Sequence, residues 1–118
     1  MSSSGHGPIP AYIVMPAALA DETLGRPINA LGYTYHTFYI VGTGTVSTGI
    51  LTIEEAPSVD FTGTWSVIGT PTDFSTTSVG SGATAAVHVA AGNYAALRAR
   101  ISTVIGGTGT ITVYHSAH

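Results

Sequence analysis

Residues 46–68, VSTGILTIEEAPSVDFTGTWSVI, decide which kind of fold this chain adopts. The first part, residues 46–53, is rich in Val, Ile and Thr, which favour β-strands. The acidic, proline-containing segment EEAPSVDFT that follows predicts a loop. Residues 63–69 form a second expected strand, in which Trp65 and Val67 share one face. The stretch therefore predicts two strands joined by a loop.

The segment YTYHTFYIV at residues 33–41 is the densest run of β-forming residues in the chain. Tyr33, Tyr35 and Tyr39 share one of its faces, and both faces are largely apolar. A strand of this kind lies in the centre of a sheet or has a partner covering its outer side. The sequence GTGT comes next, and it predicts a hairpin with residues 46–53.

Three further strands are expected toward the C-terminus. In residues 85–90 (AAVHVA), the alternation predicts that Val87 and Val89 point inward and His88 points outward. In YAALRARIST, apolar residues alternate with the two arginines, and the turn-rich flanks favour a strand over a helix. A second GTGT segment then predicts another hairpin turn before the last strand.

The expected fold is all-β. It is a single β-sandwich, jelly-roll-like, with about seven to eight antiparallel strands and an extended N-terminal arm. Its core is expected to contain Trp65, Val67, Leu97, Ile101, Ile111 and Val113.

The N-terminal segment, residues 1–31, is read as an arm that is separate from a sandwich of residues 32–118. Its four prolines exclude a long helix and favour extended segments. An apolar arm of this kind either lies along a neighbouring subunit or packs across the open end of its own domain. The residues expected to make the contacts with a neighbour are Tyr12, Ile13, Val14 and Met15.

Charge is scarce in this chain of 118 residues, which has the length of one domain. Charged residues make up 8% of it, against about 25% in a typical soluble domain, and Lys is absent. With a net charge of -3 there is no basic patch for several phosphates, so no nucleic-acid partner is expected. The uncharged surface favours coverage in a larger assembly, although a surface rich in Thr and Ser would also stay soluble.

The remaining composition restricts the cellular setting. No apolar run approaches the roughly 18 residues of a membrane helix, and the N-terminus lacks a signal-peptide pattern, so no membrane association is expected. The absence of Cys excludes a disulfide framework and fits a protein made in a reducing cytosol.

Three segments of the chain resemble small structural proteins of tailed double-stranded DNA bacteriophages: GILTIEEAP, FTGTWSVIGTPTDFST and AAGNYAALRARISTVIGGTGTITVYH. In that group a strand that ends in Glu precedes a GTW strand. A Y-x-x-L-R-x-R-I-S-T strand then leads through a Gly-rich turn into a final strand. Here the Glu is Glu54 and the GTW motif ends at Trp65, and the likeness covers roughly residues 40–115.

The resemblance implies a virion component with a sandwich or jelly-roll fold. The expected function is that of a capsid decoration (cement) protein that binds the major capsid protein. Such a protein is made in the host cytoplasm, ends on the capsid surface and forms a homo-oligomer, with a trimer favoured. The alternative is a carbohydrate- or receptor-binding module on a head fibre or tail.

The charged residues predict a structural ion pair. Glu54 or Glu55 is expected to pair with Arg98 or Arg100, because the strand that carries the arginines has few other counter-charges. No Gly-x-Ser-x-Gly elbow is present, and no spacing matches a calcium loop, so no enzyme activity is expected.

The five histidines give only a weak indication of a metal site. His115 and His118 have the spacing of zinc ligands, but dispersed surface positions are expected, with His36 and His88 facing outward. No cofactor or metal is therefore predicted. The expected contact surface is formed by Tyr33, Tyr35 and Tyr39, since tyrosine is enriched in interfaces.

Overall fold

The computed structural model describes residues 7–18, 24–79 and 86–118, and in these residues it contains β-strands and no helix. The all-β class predicted from the sequence is confirmed. The strands are β1 (Ile9–Ala18), β2 (Ile28–Asn29), β3 (Tyr35–Thr43), β4 (Thr48–Ala56), β5 (Ser66–Asp73), β6 (Ala86–Ala91), β7 (Ala96–Gly106) and β8 (Thr110–Ala117).

Two four-stranded antiparallel sheets pack face to face. The first sheet has the order β1-β8-β3-β6, and the second has the order β2-β7-β4-β5. Four of the pairs nest within one another along the chain, namely β1 with β8, β2 with β7, β3 with β6 and β4 with β5. This nesting describes one long hairpin of paired strands that is rolled into two layers, which is the jelly-roll arrangement.

The two GTGT segments are crossovers between the sheets and not hairpin turns, so both predicted hairpins are wrong. β3 and β4 lie in different sheets, and so do β7 and β8. The crossovers lie side by side, since Thr43 and Thr110 share a hydroxyl hydrogen bond of 2.8 Å and the N–H of Gly109 donates to the carbonyl of Thr45 at 2.8 Å. A Cβ on Gly109 would overlap the carbonyl oxygen of Thr43, which explains why glycine is needed there.

The predicted arm is part of the sandwich. β1 pairs with β8 along the edge of the first sheet, and Val14 and Met15 are buried in the core at 2% and 0% exposure. β2 forms an edge of the second sheet with Ile28 buried, and the N–H of Arg26 donates to the carbonyl of Val14 at 2.7 Å. The predicted boundary at residue 32 therefore divides one packed unit, and residues 1–6 and 19–23 lie outside the described residues.

The main core contains four of the six residues predicted for it, namely Leu97, Ile101, Ile111 and Val113. They pack with Phe38 and Ile40 of β3 and with Leu51 and Ile53 of β4, and all of these side chains are at most 1% exposed.

Trp65 and Val67 are not part of that core. Trp65 is buried on the outer side of the second sheet with Ala56 and Ala96. Val67 pairs with Glu54 on the same outer side and is 49% exposed. The alternation that joined Trp65 to Val67 correctly placed them on one side of the sheet, but it could not tell which side faces the core.

In β6, too, alternation could not tell which side faces the core, and the prediction that Val87 and Val89 point inward is wrong. Val87 and Val89 are each 56% exposed, while His88 faces inward with its ring 6.4 Å from the ring of Phe38.

Candidate functional site

The outer surface of the first sheet is uncharged. None of its four strands contains Asp, Glu, Lys or Arg. The cross-strand register places Ile13 beside Tyr114, Tyr114 beside Tyr39, and Tyr39 beside Val87, so one row of apolar and aromatic side chains crosses all four strands. We name the outward side chains the tyrosine face: Ile13, Tyr35, Tyr39, Val87, Val89 and Tyr114.

Several members of the tyrosine face are substantially exposed to solvent. The exposed fraction is 45% for Ile13, 49% for Tyr35 and 56% for both Val87 and Val89. Tyr35 also stacks on His118, with ring centroids 5.4 Å apart and an angle of 11° between the ring planes. The face therefore offers flat aromatic and branched aliphatic groups without any charge to desolvate.

The predicted contact residues divide between this face and the interior. Ile13, Tyr35 and Tyr39 lie on the tyrosine face, whereas Val14 and Met15 are buried in the core of their own chain. Neither Val14 nor Met15 is available to a neighbour, because both are buried. Two consecutive residues can turn inward here because the pairing of β1 with β8 has a register shift between Ile13 and Met15.

Tyr33 and Tyr12 also turn away from the face. Tyr33 precedes β3, and its ring meets the ring of His36 edge-on at 6.3 Å. Tyr12 is half-buried, and its hydroxyl is hydrogen-bonded to Nδ1 of His115 at 3.1 Å.

A chain of hydrogen bonds runs through one end of the core from this tyrosine hydroxyl. Nε2 of His115 lies 3.0 Å from Nδ1 of His36, and both rings are fully buried and nearly parallel. The chain ends at Nε2 of His36, which is buried and has no hydrogen-bond partner among the described residues. Sequence alternation could have found this pair, because His36 shares a face with Phe38 and Ile40, and His115 with Ile111 and Val113.

Burial determines the charge state of the three inward-facing histidines. It lowers the pKa of His36, and it lowers that of His88 as well. Burial and the neighbouring His36 lower the pKa of His115 to about 4. These imidazoles are therefore neutral at neutral pH, and the predicted outward positions of His36 and His88 are wrong.

The outer side of the second sheet carries the predicted ion pair. Arg98 lies directly across from Glu54, and its Nε donates to Oε1 at 2.8 Å, while Nη1 of Arg100 reaches Oε2 at 3.4 Å. Glu54 is 3% exposed. Among the described residues Glu55 forms no ion pair, because adjacent side chains of a strand point to opposite sides of the sheet.

Trp65 packs against the ion pair formed by Glu54, Arg98 and Arg100. The guanidinium of Arg98 lies over its ring at 4.4 Å, and the indole N–H donates to the carbonyl of Phe61 at 3.0 Å. The side chains around the ion pair form a shallow depression of about 360 Å³, lined by Leu24, Glu54, Gly63, Thr64, Trp65, Arg98 and Arg100. The two arginines are thereby fixed by the carboxylate and the indole, so the cluster is first of all a structural clamp between β4, β7 and the loop before β5.

Reversing the charge of Glu54 or Arg98 tests this clamp. Glu54→Arg and Arg98→Glu should each lower the free energy of unfolding by about 3 kcal/mol, because each places like charges together in a buried site. The double variant should recover part of that loss, as measured by chemical denaturation.

Combining Glu55→Arg with Arg98→Glu provides the matched control. Its two effects should add, since Glu55 and Arg98 form no pair. Additive losses in the Glu54 series as well would rule out the clamp.

Comparison with known protein families, with curated proteins and with solved structures finds no match for this chain. Among the described residues, no group of three or more His, Asp or Glu side chains is placed to hold a metal ion. Residues 7–18, 24–79 and 86–118 also contain no helix that is long and apolar enough to cross a membrane. The exposed side chains of the tyrosine face and the depression beside the clamp make the two outer sheet surfaces the candidate sites.

Proposed function

We propose that this protein is a structural component of a virion, a capsid decoration protein whose tyrosine face binds other protein subunits. The observation that supports this most directly is the combination of exposed Tyr, Val and Ile side chains with a complete absence of charge on that face. Interface cores are enriched in aromatic residues and depleted of Asp, Glu and Lys. An exposed apolar patch on a small domain marks a contact site.

The dimensions of the face suit a protein contact. Four strands spaced by about 4.8 Å, each contributing about eight residues, span roughly 19 by 26 Å, or about 500 Å². A stable interface buries about 800 Å² on each partner. The face alone therefore supplies most of a standard interface, and repeated copies on a particle would strengthen attachment through multivalency.

The virion setting rests on the sequence resemblance to structural proteins of tailed phages. The jelly-roll arrangement agrees with it at the level of analogy, since jelly rolls occur in viral capsid and lectin domains. In this proposal the major capsid protein is the partner, the protein is made in the host cytoplasm, and it forms a homo-oligomer. No catalytic step is involved. Attachment is assigned to the tyrosine face and not to a free N-terminal arm, because β1 is a strand of the sandwich and contributes Ile13 to that face.

Placing a charge at the centre of the tyrosine face tests the proposal. Tyr39 lies between Tyr114 and Val87 in the cross-strand row. The variant Tyr39→Arg should weaken binding to capsid particles by about 5- to 150-fold, because a desolvated, unpaired guanidinium costs about 1–3 kcal/mol at an interface. Copurification with particles on a density gradient measures the loss.

Val104→Arg is the matched control. Val104 is 51% exposed on β7 of the second sheet, so the same residue type is introduced away from the tyrosine face. Both variants should melt at nearly the wild-type temperature. Particle binding that Tyr39→Arg leaves intact would refute the assignment of the face.

The alternative is a carbohydrate- or receptor-binding module, and the depression beside the clamp favours it. This depression brings an indole, two guanidinium groups and a carboxylate to the edge of a surface hollow of about 360 Å³. The partly exposed guanidinium groups of Arg98 and Arg100 can hydrogen-bond to sugars, and Trp65, which is buried against Arg98, would report on that contact. Quenching of the fluorescence of Trp65, the single tryptophan, by an oligosaccharide at millimolar concentration would support this alternative.

A further inference from the structure

The described part of the sandwich has four sheet edges, and three of them are blocked against further pairing. β1 contains Pro10 and Pro16 and has three register shifts against β8. β2 is only two residues long. β5 contains Pro71 and has a register shift against β4. Prolines, irregular register and short length are the devices by which proteins prevent edge strands from pairing with other chains.

The fourth edge, β6, has none of these devices. Its sequence AVHVAA contains no proline, glycine or charged residue. It pairs with β3 at six consecutive positions without a register shift. A regular, uncharged edge strand is a template for one more strand.

The register identifies which backbone groups β6 presents at this edge. The N–H of Gly92 donates to the carbonyl of Thr34 at 2.9 Å, continuing the pairing of β6 with β3. Since bonded and non-bonded positions alternate in an antiparallel pair, Val87, Val89 and Ala91 direct their N–H and C=O groups away from β3. Within residues 7–18, 24–79 and 86–118, one hydrogen bond reaches this side, from the Tyr94 hydroxyl to the carbonyl of Ala91 at 3.2 Å.

We propose that β6 pairs antiparallel with β6 of a second copy of this chain, about a two-fold axis that passes beside Val89. In this register the two Val89 residues face each other and exchange a pair of N–H···O=C bonds. Each Val87 exchanges another pair with Ala91 of the opposite copy. The carbonyl of Ala91 can accept this bond in addition to the one from Tyr94, because a carbonyl oxygen has two lone pairs.

A second copy is the occupant that the chemistry of this edge fits. A strand that runs antiparallel to itself is self-complementary, which is the requirement for a two-fold contact. No like charges meet, because β6 has no charged residue, and the central cross-strand neighbours are two exposed valines.

The size of the contact sets its strength. A six-residue strand is about 20 Å long, so the contact is well below the standard interface of about 800 Å² for each partner. Association is therefore weak and reversible, with a dissociation constant in the range of about 10 μM to 1 mM.

The dimer would join two first sheets into one sheet of eight strands. The two tyrosine faces would then form a single uncharged surface. Although this would double the surface assigned to particle binding, the inference itself concerns the free protein and does not depend on that assignment.

Sedimentation velocity of the whole chain between about 10 μM and 1 mM tests the pairing. A monomer–dimer equilibrium is expected. Val89→Lys should weaken it at least tenfold, because two ammonium groups would meet at the axis. Val104→Lys should leave it unchanged, since Val104 lies on β7. A protein that stays monomeric throughout, forms a trimer, or responds equally to both substitutions would overturn the inference.

Cross-linking fixes the register of the pair, because the chain has no cysteine of its own. Directly opposed residues of a bonded antiparallel pair have Cα atoms about 5.5 Å apart, within the range of a disulfide. Val89→Cys should thus give a covalent dimer on mild oxidation. Val87→Cys is the control on the same strand, since its two copies would lie about 14 Å apart.

Equal cross-linking of the two cysteine variants would overturn the two-fold axis at Val89. Both measurements use free protein. Their failure would therefore leave the particle-binding proposal standing, and failure of particle binding would leave the dimer standing.

Discussion

A chain that begins at residue 32 should fail to form the sandwich. This truncation removes β1 and β2, and with them Val14, Met15 and Ile28, which are 2%, 0% and 4% exposed in the core. Deleting one large buried aliphatic side chain costs about 2–5 kcal/mol, so losing three costs about as much as the 5–15 kcal/mol that stabilises a typical domain. It also removes the Tyr12 hydroxyl that is hydrogen-bonded to His115, and it leaves the backbone of β8 without one of its two partner strands.

The measurement is a thermal melt followed by circular dichroism, together with the dispersion of amide resonances. The truncated chain should show no cooperative transition. A chain that begins at Gly7 is the matched control, because it keeps every described contact, and it should melt as the full chain does. A cooperative melt of the chain that begins at residue 32 would show that the sandwich is independent of β1 and β2.

Acidification from pH 6.5 to about 4 should remove about 3 kcal/mol of stability through His115 alone. Its pKa is lowered from 6.5 to about 4 by burial and by the adjacent His36. As the pH falls below 6.5, the unfolded chain takes up a proton that the folded chain cannot accept. The contribution of neutral His115 to stability is therefore fully present above pH 6.5. It is lost as the pH falls toward the pKa of His115 in the folded protein. A shift of about 2.5 units corresponds to about 3 kcal/mol.

His36 and His88 add to this loss, because burial lowers their pKa values in the same direction. The pH range of this loss lies above the range in which Asp73 titrates. Hydrogen bonds from Ser75 hold the pKa of Asp73 below its usual value. Urea denaturation at half-unit pH intervals gives the profile.

The variant His115→Gln should flatten the profile between pH 6.5 and 4. The amide cannot titrate, yet it can still hydrogen-bond to Tyr12 and His36. His118→Gln is the control, because His118 lies exposed at the last position, and it should keep the wild-type profile. An unchanged slope in His115→Gln would show that His115 does not govern the acid lability.

The sequence predicts those parts of the structure that depend on the two-residue period of a strand. Alternation placed Leu97, Ile101, Ile111 and Val113 on common faces, and all four are in the core. The scarcity of charge restricted the ion pair to Glu54 or Glu55 with Arg98 or Arg100, and the structure pairs Glu54 with both arginines. Both inferences use only local spacing and composition.

The predictions from sequence were wrong where a strand's partner or its inward face is decided by residues far away in the chain. A short Gly-rich connection suits a hairpin and a crossover equally well, so the GTGT segments could not reveal that β3 and β4 lie in different sheets. Alternation likewise leaves open which face is inward, and Val87 and Val89 were placed on the wrong side for that reason. β1 was read as an arm because its partner, β8, lies at the other end of the chain.

The pairing of β1 with β8 has a consequence for the order in which the protein is built. Ile9 pairs with Ala117, so the first sheet joins the two ends of the chain. Closing so long a loop costs entropy before any contact is gained, and β-proteins with such distant pairings fold in about milliseconds to seconds. A ribosome covers the last residues of a nascent chain. β1 therefore has no partner strand until β8 has also been synthesised and has left the ribosome, and only then can the first sheet be completed.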